Sequence, residues 1–276
     1  MRRSFECAAA SYDEAAVLAR EVGSRLLERL DLIRMTPDII LDVGCGTGIT
    51  TIELLKRYRK ARVLGLDLAL KMLSITYQRA SWRRKPHCIC GDAAALPLAS
   101  ASCDMIFSNL AILWCDLDSV LQEFQRVLKP GGVLLFSTLG PDTLKELRRS
   151  WAAADDYNHV NAFIDMHDIG DALMRTHLAE PVMDTELLTL TYNDATALMH
   201  DLKRTGAHNM TKGRAPGLTG RKCLRKMYDA YEKFRINNIL PATFEVIYGH
   251  AWGAQQPLSK PCGNTVAVFP LTRLRR

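Results

Sequence analysis

No stretch of this chain approaches the roughly 18 consecutive apolar residues of a membrane-spanning helix, although 48% of its 276 residues are hydrophobic. The length suits one large domain, or one domain with an added cap. No apolar leader follows Met1-Arg2-Arg3-Ser4, so a cytoplasmic protein without a targeting segment is the expectation. Aromatic residues make up only 7% of the chain and stud no basic groove, which argues against a nucleic-acid binder. Zinc-type cysteine spacing is missing too. Cys88-x-Cys90 beside His87 puts two thiols on one face of a strand, and Cys45, Cys103 and Cys115 also fall in or beside core elements. Reduced thiols and no metal are therefore expected. Acids are absent after Glu245, where Lys260, Arg273, Arg275 and Arg276 supply four of the six net positive charges. This basic tail, 254–276, is expected to be loosely ordered. There is no internal repeat.

What the chain does carry is concentrated in Ile39-Ile40-Leu41-Asp42-Val43-Gly44-Cys45-Gly46-Thr47-Gly48. A short apolar run ends in an acid and opens into three alternating glycines, and a helical pattern (Ile49, Ile52, Leu54, Leu55) follows at once. A buried parallel strand that turns tightly into a helix presents backbone N–H groups and a positive helix end to a ligand. The spacing is G-x-G-x-G rather than the G-x-G-x-x-G of dinucleotide sites. With an acid in front, it suits a ligand carrying an amino-acid group and a ribose; a glycine-rich turn with no ligand is the blander alternative. Asp67 ends a second strand, Arg62–Asp67, where an acid can take both ribose hydroxyls. Cys88–Ala93 reads as a third strand, with Asp92 placed to meet an adenine amino group. Met105–Asn109 ends a fourth strand, and Val133–Thr138 forms a fifth behind Lys129-Pro130-Gly131-Gly132.

Periodicity predicts helices over Asp13–Leu30, Leu70–Ala80, Asp116–Leu128, Asp142–Ala153 (with Asp142 as its cap), Asp165–Thr176, Asn193–Thr205 and Gly220–Phe234. Strands are expected at Thr185–Tyr192 and Pro241–Trp252. Between Lys203 and Arg235 ten Lys or Arg face only Asp229 and Glu232, whereas the chain outside this stretch and the tail is net acidic. One basic patch on an otherwise acidic protein favours an acidic macromolecular partner.

In order, "LDVGCGTG", "GLD", "GDAAALPL", "SCDMIFSN" and "VLKPGG" resemble the motifs of class I S-adenosylmethionine-dependent methyltransferases over about residues 35 to 140. The resemblance implies an α/β fold: a doubly wound, mostly parallel, seven-stranded Rossmann-like sheet with a helical cap inserted late in the chain. It implies one methyltransferase domain over 1–253, with 35–140 as the cofactor-binding core and 141–240 as largely substrate cap. S-adenosylmethionine would be the co-substrate. Asp42 and the turn Gly44, Cys45, Gly46 and Gly48 would take its methionine moiety, Asp67 and Leu68 the ribose, and Asp92 and Ala93 the adenine. Asn109 and Leu110 would line the transfer site, and Tyr12 would close over the cofactor.

Further segments narrow the likeness. "AAASYDEAAVLAR" (8–20), "NLAILWC" (109–115), "STLGPDTLKELRRSW" (137–151), "LKRTGAHN" (202–209), "GRAPGLT" (213–219) and "ATFEVIYGHAWG" (242–253) are similar to the malonyl-[acyl-carrier protein] O-methyltransferases of biotin synthesis. That likeness implies methylation of the free carboxylate of a malonyl thioester, carried by acyl carrier protein or coenzyme A. Arginine-hydroxylating assembly factors of respiratory complex I share the nucleotide half and part of the cap. They remain the alternative, together with other small-molecule methyltransferases.

Methyl transfer to a carboxylate needs no general base, because the acceptor is already ionised at neutral pH. It needs alignment, and a cation that selects a charged acyl end without gripping the attacking oxygen. Lys203 and Arg214 are the candidates for that cation, with Arg148 and Arg149 behind them. The basic helix Gly220–Phe234 is the expected carrier-protein dock. Trp114 and Trp151 read as core anchors. His159, His167, His177, His200 and His208 show no partner spacing that argues for catalysis.

Overall fold

The computed structural model describes residues 1–207, 209, 213, 217 and 219–254. Its seven strands are β1 (Ile39–Val43), β2 (Arg62–Asp67), β3 (His87–Cys90), β4 (Cys103–Asn109), β5 (Leu128–Leu139), β6 (Ala179–Tyr192) and β7 (Leu240–Trp252). They form one sheet in the order β3-β2-β1-β4-β5-β7-β6, parallel except for β7, which runs against both neighbours. The sheet is the doubly wound, mostly parallel one expected from the sequence. Its order reverses between β1 and β4, so a crevice opens at the carboxyl ends of those two strands.

Ten α-helices surround the sheet among the described residues: α1 (Arg2–Ala8), α2 (Tyr12–Ala15), α3 (Val17–Arg29), α4 (Ile49–Arg57), α5 (Leu70–Arg79), α6 (Leu117–Val127), α7 (Lys145–Ala152), α8 (Met166–Arg175), α9 (Ala195–Arg204) and α10 (Arg221–Tyr231). Alternation along the central strands fills both faces. Leu41, Val43, Ile106, Leu134 and Phe136 pack with Leu121 and Phe124 of α6 and Ile169 and Leu173 of α8. Ile40, Met105, Phe107, Val133 and Leu135 pack with Val22 and Leu26 of α3 and Leu54 of α4. Successive side chains point to opposite faces and both faces are covered, which is why these strands read as unbroken apolar runs.

Several boundaries differ from the periodicity. The helix expected over Asp13–Leu30 breaks at Ala16 into α2 and α3, and α1 precedes them without having been foreseen. Asp142 is not a helix cap. Leu144 occupies that position in the left-handed region at φ 54°, its N–H donating to the Thr243 carbonyl at 2.6 Å, while the Asp142 carboxylate pairs with Lys145 at 2.9 Å. The third strand stops at Cys90, because Asp92 accepts the Ala94 N–H at 2.9 Å and turns the chain. Within 141–240, α8 and β6 belong to the sheet and its face.

The β6–β7 hairpin is longer than the sheet it joins. β7 pairs with β5 only from Val133↔Trp252 to Leu139↔Val246, whereas its pairing with β6 continues to Tyr192↔Leu240. The free end overhangs the carboxyl end of β5. Leu240, Ala242 and Phe244 of this overhang gather Leu147 and Trp151 of α7, Leu198 of α9, and Met227 and Tyr231 of α10 into a separate apolar cluster.

Close packing makes one position in β7 diagnostic. A Cβ added at Gly249 would lie 2.3 Å from Cζ of the fully buried Phe136 ring. Gly249→Ala should therefore destabilise the fold by about 1–3 kcal/mol, read from urea denaturation midpoints, as overpacked cores do.

Candidate active site

The crevice at the strand tips holds a cavity of ≈ 690 Å³, mouth included. Of the residues assigned to the cofactor from sequence, Tyr12, Gly44, Gly46, Asp67, Leu68, Asp92, Ala93, Asn109 and Leu110 line it. Asp42, Cys45 and Gly48 lie outside its wall. Gly48 is tied to the turn itself: it sits at φ 83°, and a Cβ there would lie 2.6 Å from Cγ2 of Thr76. The Cys45 thiol is buried 4.0 Å from the Thr76 hydroxyl, and burial raises its pKa first, helped by Asp42 and Asp67. Sequence reading missed Met1 and Phe5 of the N-terminal segment, and Met72, Trp114 and Cys115, all of which line the cavity. Phe5 meets Trp114 edge-on at 5.5 Å.

The turn has the chemistry of a cradle. Gly46 sits at φ 54°, and a Cβ added there would meet no protein atom within 4 Å, so the space before it is open to a ligand. Its N–H donates to Asp67 at 2.9 Å, and the same carboxylate accepts the Ala69 N–H at 2.8 Å. Beneath the turn, Asp42 is 1% exposed. One of its oxygens accepts from Thr51 at 2.6 Å and Thr50 at 3.1 Å; Oδ1, also buried, has no partner among the described residues. Burial pushes the Asp42 carboxyl up to about 6, against the hydrogen bonds from Thr51 and Thr50. Burial and the nearby Asp67 and Asp13 push the Tyr12 hydroxyl up to about 12, so it stays protonated. Asn109 reaches the cavity wall, but its amide is taken up: it donates to the Ala19 carbonyl and accepts from Ser137, both at 2.8 Å.

A second cavity of ≈ 970 Å³, mouth included, lies under the hairpin overhang. It is mostly apolar (Leu18, Leu113, Leu139, Leu147, Val160, Phe163, Leu190, Phe244) and shares Phe5, Tyr12, Leu110 and Trp114 with the first. Leu110 stands between the two in the left-handed region at φ 50°, its N–H held by the Ser137 carbonyl and hydroxyl.

The cations singled out from sequence are not in this wall. Lys203 and Arg149 are exposed and line neither cavity. Arg148 donates to the backbone carbonyls of Pro141, Thr143 and Asn161, which fixes the loop after α7. Arg214 lies outside the described residues. Instead His159, passed over in the sequence, lines the second cavity. Its Nε2 is 2.9 and 3.1 Å from the two oxygens of Asp155, and its ring stacks on Trp151 at 3.7 Å. The one sequence signal was the four-residue gap to Asp155.

Among the described residues no group of three or more His, Cys, Asp or Glu could hold a metal ion, and no helix is long and apolar enough to cross a membrane. The glycine cradle, the paired strand-end carboxylates and the switch-point sheet define a class I S-adenosylmethionine-dependent methyltransferase. A family model for a methyltransferase domain matches residues 41–136. In solved structures the fold resembles the YcgJ protein of Bacillus subtilis (TM-score 0.58, 16% identity, 84% of this chain and 98% of that one). It also resembles geranyl diphosphate C-methyltransferase of Streptomyces coelicolor, solved with S-adenosyl-L-homocysteine (TM-score 0.52, 16% identity, 84% and 78%). The malonyl-[acyl-carrier protein] O-methyltransferase of Methylovorus is 51% identical, over 98% of this chain and 93% of its own. A Coxiella burnetii enzyme of the same name, numbered 1, is 44% identical, over 100% and 95%. The chain belongs to the malonyl-[acyl-carrier protein] O-methyltransferase family. The assembly-factor reading is not favoured.

Asp42 gives the ligand-free site a pH signature. Its folded pKa of about 6 stands above the ordinary 3.8. The folded state therefore holds the proton more tightly, and this contribution to stability is full below pH 3.8 and lost as pH rises through about 6. Asp42→Asn should abolish that fall, so the stability difference between variant and wild type should grow in the variant's favour from pH 4 to pH 7, measured by denaturant titration without cofactor.

Proposed function

We propose that this protein transfers a methyl group from S-adenosylmethionine to the free carboxylate of a malonyl thioester borne by an acyl carrier protein, in the cytoplasm. The observation that carries this reading is the shared wall: a cavity at the glycine turn and an apolar cavity under the hairpin overhang meet at Phe5, Tyr12, Leu110 and Trp114. S-adenosylmethionine supplies a methyl carbon on a sulfonium; the carboxylate oxygen takes it, the sulfur leaves as a neutral thioether, and no proton moves.

The chain's own work is placement. Gly44 and Gly46 bend the turn so that backbone faces the methionine moiety, Asp67 and Leu68 take the ribose side, and Asp92 and Ala93 the adenine side. Asp42 supports the turn from below through the Thr50 and Thr51 hydroxyls. Tyr12 and Leu110 hold the junction through which the acceptor oxygen must approach, and such orientation supplies on the order of 7–11 kcal/mol. The apolar wall excludes water and accepts the acyl end of the pantetheine arm. Residues 141–240, less α8 and the part of β6 before its overhang, act as the substrate cap. On α10, Arg221, Lys222, Arg225 and Lys226 are exposed while Met227 and Tyr231 are buried, which leaves a basic face for an acidic carrier protein.

The direct test is incubation with labelled S-adenosylmethionine and malonyl-carrier protein, with formation of a base-labile methyl ester as the expected product. The double variant Arg221→Glu/Arg225→Glu should raise KM for the malonyl-carrier protein by about ten-fold or more while leaving malonyl-coenzyme A within about two-fold. Equal loss on both substrates would remove α10 as the dock.

A further inference from the structure

We infer that His159, paired with Asp155, is the residue that recognises the acceptor carboxylate. The inference rests on the methyl-transfer reading and deepens it.

The acceptor end is an anion entering an apolar cavity, where an unpaired charge is costly. Among the described residues that line this cavity, the ionisable side chains are those of Tyr12, His159, Tyr192 and Asp201. Both phenols are pushed up to about 12: Tyr12 by burial with Asp67 and Asp13, Tyr192 by burial with Asp201 beside it. They are neutral at physiological pH. Asp201 repels a carboxylate. That leaves His159 as the one described group in this wall able to carry positive charge.

The ring is built for that state. Its face is fixed on Trp151, and Nε2 lies against both oxygens of Asp155, which demands a proton on Nε2. Nδ1 has no partner among the described residues. In the neutral form it is only an acceptor and would repel an anion; a second proton makes it a donor to a carboxylate oxygen. Asp155 is held as the counter-anion, its carboxyl kept below the ordinary range by the Cys223 thiol at 3.0 Å, the Tyr157 N–H at 3.0 Å and His159. Arg148 fixes the loop by donating to the Asn161 carbonyl.

A paired imidazolium also suits the chemistry better than a lone Lys or Arg. It offers a directed hydrogen bond while Asp155 cancels much of its field. The carboxylate is thus selected without deep ground-state stabilisation, and the uncharged ester is not retained.

The test measures calorimetric binding of malonyl-coenzyme A and acetyl-coenzyme A to the protein loaded with S-adenosylhomocysteine. Wild type is first assayed for methyl transfer to malonyl-carrier protein, and absence of transfer there overturns the underlying reading and this inference together. With wild type active, His159→Gln should weaken malonyl-coenzyme A on the order of ten-fold or more. Acetyl-coenzyme A and S-adenosylhomocysteine should stay within about two-fold. Asp155→Asn, which keeps the ring but removes its counter-anion, should lose malonyl affinity in the same selective way. Unchanged malonyl binding in His159→Gln, or equal weakening of both thioesters, overturns the assignment.

Discussion

The site depends on one carboxylate. Asp67, at the end of β2, accepts the Gly46 N–H from the turn after β1 and the Ala69 N–H from its own loop. The carboxylate thus adds to the Gly44 and Cys45 N–H groups, which donate to the Leu66 carbonyl, in holding the two strand ends together. Burial raises the Asp67 pKa, and the backbone donors Ala69, Gly46 and Leu68 oppose that shift. From this point the construction propagates outward. α5 starts directly after the Asp67 loop, and Glu6 of α1 accepts its first N–H groups, Leu70 at 2.7 Å and Lys71 at 3.2 Å. Asp13 accepts from Thr47 of the glycine turn at 2.6 Å and from Arg79, and Glu14 pairs with Arg204 of α9. The N-terminal segment is thereby tied to both halves of the site, and its Phe5 and Tyr12 wall both cavities.

The second constraint is geometric. A parallel sheet ends where its strands end, so the cofactor crevice alone offers no wall for an acyl chain. Extending the β6–β7 pairing past Leu139 supplies one. The overhang has apolar residues to bury, and α7, α9 and α10 cover them; the cavity is the space left between that cluster and the sheet's switch point. Leu110 and Leu144, both at positive φ, stand where the two parts meet. Left-handed leucines cost about 1–2 kcal/mol each, and both are pinned by backbone hydrogen bonds to β5 or β7.

The central strands β1, β4 and β5 were legible as apolar runs because both their faces are covered, and β2 and β3 because an acid ends or follows close on each, patterns local to a few residues. So were the strand-end carboxylates Asp67 and Asp92. Asp42 and Gly48 were legible as motif residues, but a motif does not say which members face the ligand and which hold the turn. Asp42 went under it, and Gly48 against Thr76. The overhang was not legible, since the length of β6 beyond β5 is a fact of pairing between strands far apart in sequence. The same holds for His159. Family-like cap motifs directed attention to Lys203 and Arg214, with Arg148 and Arg149 behind them, yet Lys203 and Arg149 face solvent, Arg148 has backbone carbonyls for partners, and Arg214 lies outside the described residues. Asp155 and His159 are four apart, but no helix joins them. Only the turns at Asp155–Asn158 bring the carboxylate to the ring, and only the packing of α7 brings Trp151 beneath it.

That distribution of roles follows from the proposed reaction. A base-catalysed methyl transfer would require a group poised to lose or gain a proton at the junction of the cavities. At that junction stand Tyr12, whose hydroxyl is driven far above neutrality, and Leu110, which has no proton to give. Among the described residues this junction orients an acceptor and holds no group to activate one, so it serves an acceptor that arrives ionised. A carboxylate meets that condition at neutral pH. An alcohol or a protonated amine does not. The charge the acceptor brings must then be met elsewhere in the apolar cavity. Because methylation cancels that charge, whatever meets it loses its hold on the product in the same step. Selection of the substrate and release of the ester are two consequences of one electrostatic contact.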